Sequence, residues 1–244
     1  MACHHRSVLK ACVNGPRTPG EHSRVPVSAD QIAADVVRGV AAGADAVHLH
    51  VKDDTGADTL QGAALADVLR AVRAAAPGTP VGVTTGAWAE PDPRERLARI
   101  AAWTVLPDFA SVNWHEDGAE QVAELLLGRG VGVEAGLWTV AAARSWSDSV
   151  LNRRCLRVLL ELSDGLDATG TEREADDLLA AVAGTDLPVL LHGLGPSCWP
   201  ALRHAVAKGL DTRIGLEDVL VLPDGAPAPD NAALVAAARE LGAG

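Results

Sequence analysis

Short apolar runs rich in β-branched residues alternate along the whole chain with alanine- and leucine-rich segments of helical spacing. This alternation is typical of a parallel sheet in which each strand is followed by a crossover helix. It predicts eight strand–helix pairs, and eight parallel strands can close into an α/β (β/α)8 TIM barrel. The predicted strands are Val8–Val13, Ala46–Val51, Pro80–Thr85, Phe109–Asn113, Gly130–Glu134, Leu156–Glu161, Pro188–Leu191 and Thr212–Leu216.

The first predicted helix has the clearest pattern. Ser28 and Gln31 form a capping-box motif, and apolar residues from Ile32 onward recur on one helical face. No proline- or serine-rich linker divides the chain, so a single barrel domain over residues 1–244 is predicted. A doubly wound sheet is the second interpretation, but the turn Val13–Pro16 lacks the GxGxxG spacing that such a sheet would need.

The bulk composition is that of a globular protein that does not bind nucleic acid. The chain has 244 residues, of which 48% are hydrophobic and 22% are charged, and its formal net charge is −11. Nucleic-acid backbones and anionic membrane surfaces need a broad basic face, so neither is an expected partner. The N-terminal residues lack the apolar core of a signal peptide, and no apolar run is long enough to span a membrane.

The cysteines show no CxxC pair and no dense framework. This pattern favours reduced thiols in a reducing compartment, and the cytoplasm is therefore the predicted location. The four cysteines are Cys3, Cys12, Cys155 and Cys198.

The second predicted strand carries two histidines near its end. His48 and His50 stand two residues apart in an otherwise apolar run, so both side chains leave the same face of the strand. Two neutral imidazoles at this spacing can bind one Zn²⁺, although two histidines hydrogen-bonded inside a core would give the same pattern. We favour the metal site, because the strand ends of a barrel carry its chemistry.

A third metal ligand is expected from the end of another strand. Glu217 and Asp218 follow the eighth predicted strand, and in an extended segment their side chains would diverge. One carboxylate could bind the metal while the other handles protons, and two histidines with one carboxylate leave positions open for a substrate oxygen. A helix N-cap with a solvated ion pair is the alternative interpretation of the two acids.

Other predicted strand ends add polar residues to the same barrel mouth. Polar residues also end strands as turn formers, so each one alone is weak evidence, and their coincidence with the histidine pair is the stronger observation. His192 could orient a substrate or simply end its strand. These residues are Thr84, Thr85 and Gly86 at strand three, Ser111 and Asn113 at strand four, Glu134 closing strand five, and His192 after strand seven.

These motifs together resemble those of the β-keto acid cleavage enzymes. The resemblance covers nearly the whole chain, and the HLHV and RIGLED motifs, in this order and spacing, are its most specific part. The matching runs are Ala11–Gly15, Val25–Ser28, Ala42–Ala44, His48–Asp53, Thr84–Gly86, Ala110–Asn113, Val133–Glu134 and Arg213–Asp218.

The resemblance implies a zinc-dependent barrel, with one Zn²⁺ per chain, that converts a β-keto acid and acetyl-CoA into acetoacetate and a new acyl-CoA. It implies that His48, His50 and Glu217 bind the zinc. It also implies that Asp218, oriented by Arg213, is the general base that removes the proton between ketone and carboxylate. A homo-oligomer, specifically a tetramer, is implied as well.

The same resemblance implies roles for residues around the metal. Thr84 and Ser111 supply hydroxyls at the two positions that contact the reacting oxygens, and Glu134 matches an active-site glutamate. Arg17, in the loop after strand one, would attract a carboxylate, which predicts a keto acid with an anionic or neutral distal end. A solvated loop arginine is the alternative. The remaining predicted substrate contacts are Thr85, Gly86 and Asn113.

Two other functional classes stay open. One is a metal-dependent retro-aldol lyase or hydrolase that does not use CoA. The segment Leu162–Gly165 favours it, because this segment lacks the proline- and glycine-rich loop that the resemblance leads us to expect beside a bound CoA. Hydrolases are the weaker form of this alternative, since their HxH pair is carried on the first strand. A non-catalytic ligand-binding barrel is the other class, and the retained imidazoles and carboxylates argue against it.

Overall fold

Each of the eight predicted apolar runs forms a strand in the computed structural model, which is described for residues 7–244. The strands are β1 (Leu9–Cys12), β2 (Ala46–Leu49), β3 (Val81–Thr84), β4 (Phe109–Asn113), β5 (Gly132–Leu137), β6 (Arg157–Glu161), β7 (Val189–His192) and β8 (Asp211–Ile214). Each strand pairs in parallel with the next, and β8 pairs with β1, so the sheet closes. The predicted (β/α)8 TIM barrel is confirmed.

Helices alternate with the strands and pack their apolar residues against the outside of the barrel. The predicted capping box is present, since Ser28 accepts a hydrogen bond from the Gln31 N–H and the Gln31 side chain accepts from the N–H of Ser28. The helices are α1 (Ala29–Ala41), α2 (Gly62–Ala75), α3 (Pro93–Ala101), α4 (Ala119–Gly128), α5 (Val140–Asp148), α6 (Ala168–Ala181), α7 (Cys198–Lys208) and α8 (Asn231–Glu240).

Three strand ends differ from the prediction in ways that matter for the barrel mouth. β2 stops at Leu49, so His50 lies just beyond the strand and not within it. β5 continues to Leu137, so Glu134 lies in the middle of this strand and does not close it. β8 stops at Ile214, and the chain then turns, with the Asp218 N–H donating to the Gly215 carbonyl at 2.9 Å. The segment that carries the two acids is therefore a turn and not extended chain.

A network of charged residues crosses the barrel interior. Lys10 Nζ donates to Glu134 Oε2 at 2.5 Å, Arg157 Nε lies 3.3 Å from Glu134 Oε1, and Arg157 Nη1 donates to Asp211 Oδ2 at 2.8 Å. The charges alternate in sign, so each buried ion faces an opposite one, as burial requires. Lys10 pairs in register with Ala46, at the start of β2, so the network lies beneath the barrel mouth.

The described cysteines Cys12, Cys155 and Cys198 are free thiols and are buried, whereas Cys3 lies outside the described residues. Within residues 7–244, no helix combines the length and the apolar character that crossing a membrane would require.

Candidate metal centre and active site

Three buried side chains converge at the C-terminal end of the barrel. His48 lies in β2 and His50 follows it directly, with 5.5 Å between the ring centroids. Glu217 comes from the turn after β8, and its Oε1 lies 3.9 Å from His50 Nε2. One ligand atom from each of these three side chains lies within 4.8 Å of the other two. The structure thus brings the three predicted ligands to one point, where a single ion could contact all of them.

Strand order explains how residues so distant in sequence meet. β1 lies between β2 and β8, and Cys12 of β1 pairs in register with His48. Gly15, in the loop after β1, has a φ of +56°, and a Cβ at this position would lie 2.3 Å from Glu217 Cγ. Glycine therefore satisfies both the backbone conformation and the close approach of the Glu217 side chain.

Asp58 orients the His50 ring. Its Oδ2 lies 2.7 Å from His50 Nδ1, and its carboxylate also accepts hydrogen bonds from Lys52 Nζ at 2.6 Å and from Trp88 Nε1 at 2.8 Å. Burial raises the pKa of Asp58, but the hydrogen bonds and charges of His50 and Lys52 outweigh it and lower the pKa below its usual value. An ionised Asp58 accepts a hydrogen bond from the Nδ1–H of His50, so Nε2 of His50 is left as the ligand atom facing Glu217.

The protonation and hydrogen bonding of the other two ligands fit a metal. Burial, followed by the charges of Lys10 and His50, lowers the pKa of His48 well below 6.5, so its imidazole is neutral, which is the form that binds metal ions. His48 Nδ1 and Glu217 Oε2 are buried, and neither has a hydrogen-bond partner within residues 7–244. Buried polar atoms without protein partners are rare, and a bound ion is one way of satisfying such a site.

Arg213 holds both acids of the turn after β8. Its Nη2 donates to Glu217 Oε1 at 2.9 Å and to Asp218 Oδ1 at 2.6 Å. The prediction that the two acid side chains diverge is therefore wrong, because the turn at Gly215 aims both of them at one guanidinium.

Asp218 has the electrostatic surroundings of a proton acceptor. It is fully buried, and burial raises its pKa to about 7, with Arg213 opposing this shift and Glu217 adding to it. In the described chain its Oδ2 is buried and has no hydrogen-bond partner. Asp218 is not among the residues that line the cavity, but it follows Glu217, which does.

A cavity of about 460 Å³ opens beside the three ligands, a volume that suits a small substrate. Trp88 and Trp138 contribute aromatic walls, and Glu161 and Asp164 add carboxylates at the end of β6. The predicted site residues that line the cavity are Arg17, His48, His50, Thr84, Ser111, Asn113, Arg213 and Glu217.

Thr85 and Gly86 do not line this cavity, but they stabilise the segments around it. Thr85 Oγ1 donates to the Ser111 carbonyl at 2.7 Å, which links the end of β3 to the middle of β4. A Cβ on Gly86 would lie 2.3 Å from the Trp88 ring, so the absence of a side chain lets that ring pack.

Glu134 is also separate from the cavity. It is fully buried in the charge network beneath the mouth, where Lys10 and Arg157 balance its carboxylate. Its side chain lies in the barrel interior and is not among those that line the cavity, although Glu134 pairs in register with Ser111, which does line it.

Arg17 lines the cavity as predicted, but its guanidinium is already engaged. Nη1 donates to Glu21 Oε1 at 3.0 Å, and Nε donates to the Glu217 carbonyl at 3.2 Å. The charge of Arg17 is therefore partly balanced within the protein, which weakens its attraction for a substrate carboxylate.

Sequence reasoning missed several acids of this site, among them Glu161 and Asp58. Glu161 ends β6 and lines the cavity, and the rule that polar strand ends build the site could have identified it. Asp58 follows His50 by eight residues in a loop, and nothing in the local pattern marks it.

Solved structures similar to this chain are barrels of the same kind. Apo ObcA matches with a TM-score of 0.67 at 17% identity over 89% of this chain, and the chain spans 61% of the ObcA chain. A type I 3-dehydroquinate dehydratase from Clostridium difficile matches with a TM-score of 0.59 at 12% identity over 85% of this chain and 84% of that one. At these identities the likeness shows the fold alone.

Comparison at the sequence level identifies the family. The 3-keto-5-aminohexanoate cleavage enzyme of Acetoanaerobium sticklandii is 21% identical over 247 residues, which cover 93% of this chain and 88% of that protein. The model of the beta-keto acid cleavage enzyme family matches residues 6–244. Because this match covers almost the whole chain, the protein belongs to the beta-keto acid cleavage enzyme family.

Proposed function

We propose that this protein is a zinc-dependent transferase that converts a β-keto acid and acetyl-CoA into acetoacetate and a new acyl-CoA. The observation that carries the proposal is the convergence of His48, His50 and Glu217 within 4.8 Å, next to an acid, Asp218, that is held by Arg213. Membership of the family supports the type of reaction.

The donor set supports zinc as the metal. Two imidazole nitrogens and one carboxylate oxygen are a ligand set of catalytic zinc sites, which keep further positions open. His48, His50 and Glu217 would hold the ion. When bound, it would supply Lewis-acid stabilisation of the negative charge that develops on the keto acid oxygens.

Asp218 would act as the general base on the carbon between ketone and carboxylate. A base whose pKa lies near neutrality suits this task, and burial raises the pKa of Asp218 to about 7. Arg213 occupies Oδ1 of Asp218, which leaves Oδ2 for the substrate proton. Thr84 and Ser111 line the cavity and would donate hydrogen bonds to the substrate oxygens.

The bond changes then balance without a further reactant. Loss of the proton leaves a carbanion at C2, the carbon between ketone and carboxylate. This carbanion attacks the acetyl thioester, so a new carbon–carbon bond forms and the CoA thiolate leaves. The thiolate attacks the original ketone, the bond between that ketone carbon and C2 breaks, and the acyl group departs on CoA. Asp218 returns the proton to the carbanion of the released acetoacetate.

Solved structures of a similar barrel support the two classes of substrate. ObcA has been captured with oxaloacetate, and also with a C4-CoA adduct and oxalate. This chain spans 63% of those ObcA chains at 17% identity. A keto acid and a CoA thioester are accordingly our proposed partners here.

A metal-dependent lyase that does not use CoA is the second candidate. Glu161 and Asp164 put two carboxylates in the cavity wall at the end of β6. Burial raises the pKa of Glu161, but His192 and Arg213 lower it below its usual value, so this wall carries negative charge. Such a wall disfavours a polyanionic co-substrate that approaches from the β6 side.

One experiment separates these candidates. The zinc-loaded protein is incubated with a panel of β-keto acids, with and without acetyl-CoA, and the products are identified by mass spectrometry. Formation of acetoacetate and acyl-CoA only when acetyl-CoA is present supports the transferase, whereas turnover without it supports the lyase. The His48→Ala/His50→Ala variant is the control, and equal turnover by this variant would contradict a role for the metal.

We also propose a cytoplasmic location and a homotetramer. The buried free thiols of Cys12, Cys155 and Cys198 fit a reducing compartment. Light scattering on the purified protein tests the tetramer, and a monomer at micromolar concentration would contradict it.

A further inference from the structure

A chain of contacts links three neighbouring strands at the barrel mouth. Glu161 ends β6, and His192 ends β7 in register with it. His192 Nε2 lies 3.3 Å from Glu161 Oε2, and His192 Nδ1 accepts a hydrogen bond from Arg213 Nε at 3.0 Å. The chain therefore runs from a cavity-lining carboxylate to the arginine that holds both acids after β8.

This arrangement determines the tautomer of His192. A guanidinium Nε–H can only donate, so Nδ1 of the imidazole must be the acceptor. Burial, followed by the charge of Arg213, lowers the pKa of His192 to about 4, so the ring is neutral and carries its proton on Nε2, facing Glu161. The Glu161 carboxylate, 3.3 Å from Nε2, electrostatically favours a proton on that nitrogen, and this is the one tautomer that can accept from Arg213.

Arg213 is anchored by two of its nitrogens. Nη2 contacts Glu217 and Asp218, while Nε contacts His192. Two anchored nitrogens fix the plane of a guanidinium, whereas the Nη2 contacts alone would let it swing about them. Arg213 and His192 are both buried, so water cannot readily replace the imidazole.

We propose that His192 and Glu161 are positioning residues that hold the Arg213 guanidinium in place and so align Glu217 as a metal ligand and Asp218 as a base. The inference rests on the proposed function of this site. It assigns a role to His192, which is not one of the three ligands, and to Glu161, which acts through His192.

Substitutions at His192 separate positioning from mere packing. His192→Asn keeps an acceptor near the position of Nδ1, while His192→Leu keeps the bulk and loses the acceptor. We expect His192→Leu to weaken zinc binding and lower kcat by about tenfold each, with KM changed less than kcat, and His192→Asn to retain most of both. Zinc affinity is measured by competition with a chromophoric chelator and needs no turnover.

A matched histidine–carboxylate pair serves as the control. His204 Nε2 lies 3.2 Å from Asp176 Oδ1, away from the cavity, and His204→Leu is expected to leave zinc affinity and kcat unchanged. Where His192→Leu fails to fold, Glu161→Ala and Glu161→Gln replace it. The glutamine can still accept from Nε2 of His192 and the alanine cannot, so only Glu161→Ala should lose affinity and kcat.

Each outcome decides the inference. Equal zinc affinity and kcat in folded His192→Leu and unaltered protein would overturn it, as would equal losses in His192→Leu and His192→Asn. A ¹⁵N NMR spectrum with the proton of His192 on Nδ1 would overturn it independently of any activity. Absence of zinc binding by the unaltered protein would instead defeat the proposed function, and the tautomer measurement then decides the His192 arrangement alone.

Discussion

Asp58 Oδ2 lies 2.7 Å from His50 Nδ1, although the two lie eight residues apart in the segment between β2 and α2. The loop folds back as a short hairpin, in which Lys52 and Asp58 form an isolated antiparallel bridge. The hairpin thus places Asp58 against Nδ1 of the His50 ring, while Nε2 of the same ring faces Glu217. A carboxylate in this position raises the basicity of a metal-bound imidazole and orients its ring.

Removal of Asp58 should weaken metal binding without removing a ligand. We expect Asp58→Ala to lower zinc affinity by about 10- to 100-fold, because His50 loses the partner that fixes its ring and tautomer. The measurement is chelator competition at neutral pH. Asp54→Ala removes an exposed acid from the same loop and should bind zinc as the unaltered protein does. Equal affinity in both variants would show that Asp58 does not act through His50.

Gly15 should be required for the position of Glu217. An added Cβ would lie 2.3 Å from Glu217 Cγ at a φ of +56°, so Gly15→Ala should lower both stability and zinc affinity. Gly56 has a φ of +85° with nothing within 4 Å, and Gly56→Ala should lose only about 1 kcal/mol of unfolding free energy. Zinc titration and urea unfolding distinguish the Gly15→Ala and Gly56→Ala variants. Unchanged zinc affinity in Gly15→Ala would show that an added Cβ does not displace Glu217.

The Lys10–Glu134 pair should behave as one structural unit. Lys10→Met leaves the Glu134 carboxylate buried with only Arg157 beside it, and we expect a loss of about 3–5 kcal/mol in unfolding free energy. The double variant Lys10→Met/Glu134→Gln should lose less than the sum of the two single variants, because it leaves fewer buried charges unmatched. Additive losses in urea unfolding would mean that the two residues do not interact.

Stability should depend on pH through His192. Burial, the charge of Arg213 and, to a smaller extent, that of Lys10 lower the pKa of His192 from 6.5 to about 4. The carboxylate of Glu161 opposes this shift. The other acid near the ring is Asp218, whose Oδ1 lies 3.8 Å from Nδ1. Between these pH values the unfolded chain binds the proton and the folded chain does not. The unfolding free energy should therefore fall as pH drops from 6.5 to 4, by at most about 3 kcal/mol from this residue.

The variant His192→Asn tests this assignment, because it removes the titrating ring and keeps an acceptor for Arg213. Urea unfolding at several pH values between 4 and 6.5 should give a flatter profile for His192→Asn than for the unaltered protein. Identical slopes would place the proton uptake on other groups.

The sequence pattern predicted the barrel because periodicity is a local property. Each apolar run needs only its own residues to mark a strand, and each helix start, such as Ser28 with Gln31, is set within one turn. The same holds for His48 and His50, whose shared face was predicted from the period of a strand, although β2 ends at Leu49 and His50 lies just beyond it. The family resemblance then named Glu217 as the third ligand, and the structure brings it to the same point.

Contacts between distant segments could not be predicted in this way. Glu134 was expected at a strand end, but β5 runs further, and the barrel closes Lys10 and Arg157 around its carboxylate. The two acids after β8 were expected to diverge, but the turn at Gly215 directs both to one arginine.

The sequence by itself therefore determined the fold class, the strands that carry the site and the residue types at their ends. Only the tertiary structure decided which partners those side chains have, including Asp58 behind His50 and His192 beside Arg213. The physical reason is one of range. Hydrophobic periodicity is a pattern among residues a few positions apart, so it can be seen in the sequence. Hydrogen bonds between distant segments, and the pKa shifts that they cause, depend on distances that exist only once the barrel has closed.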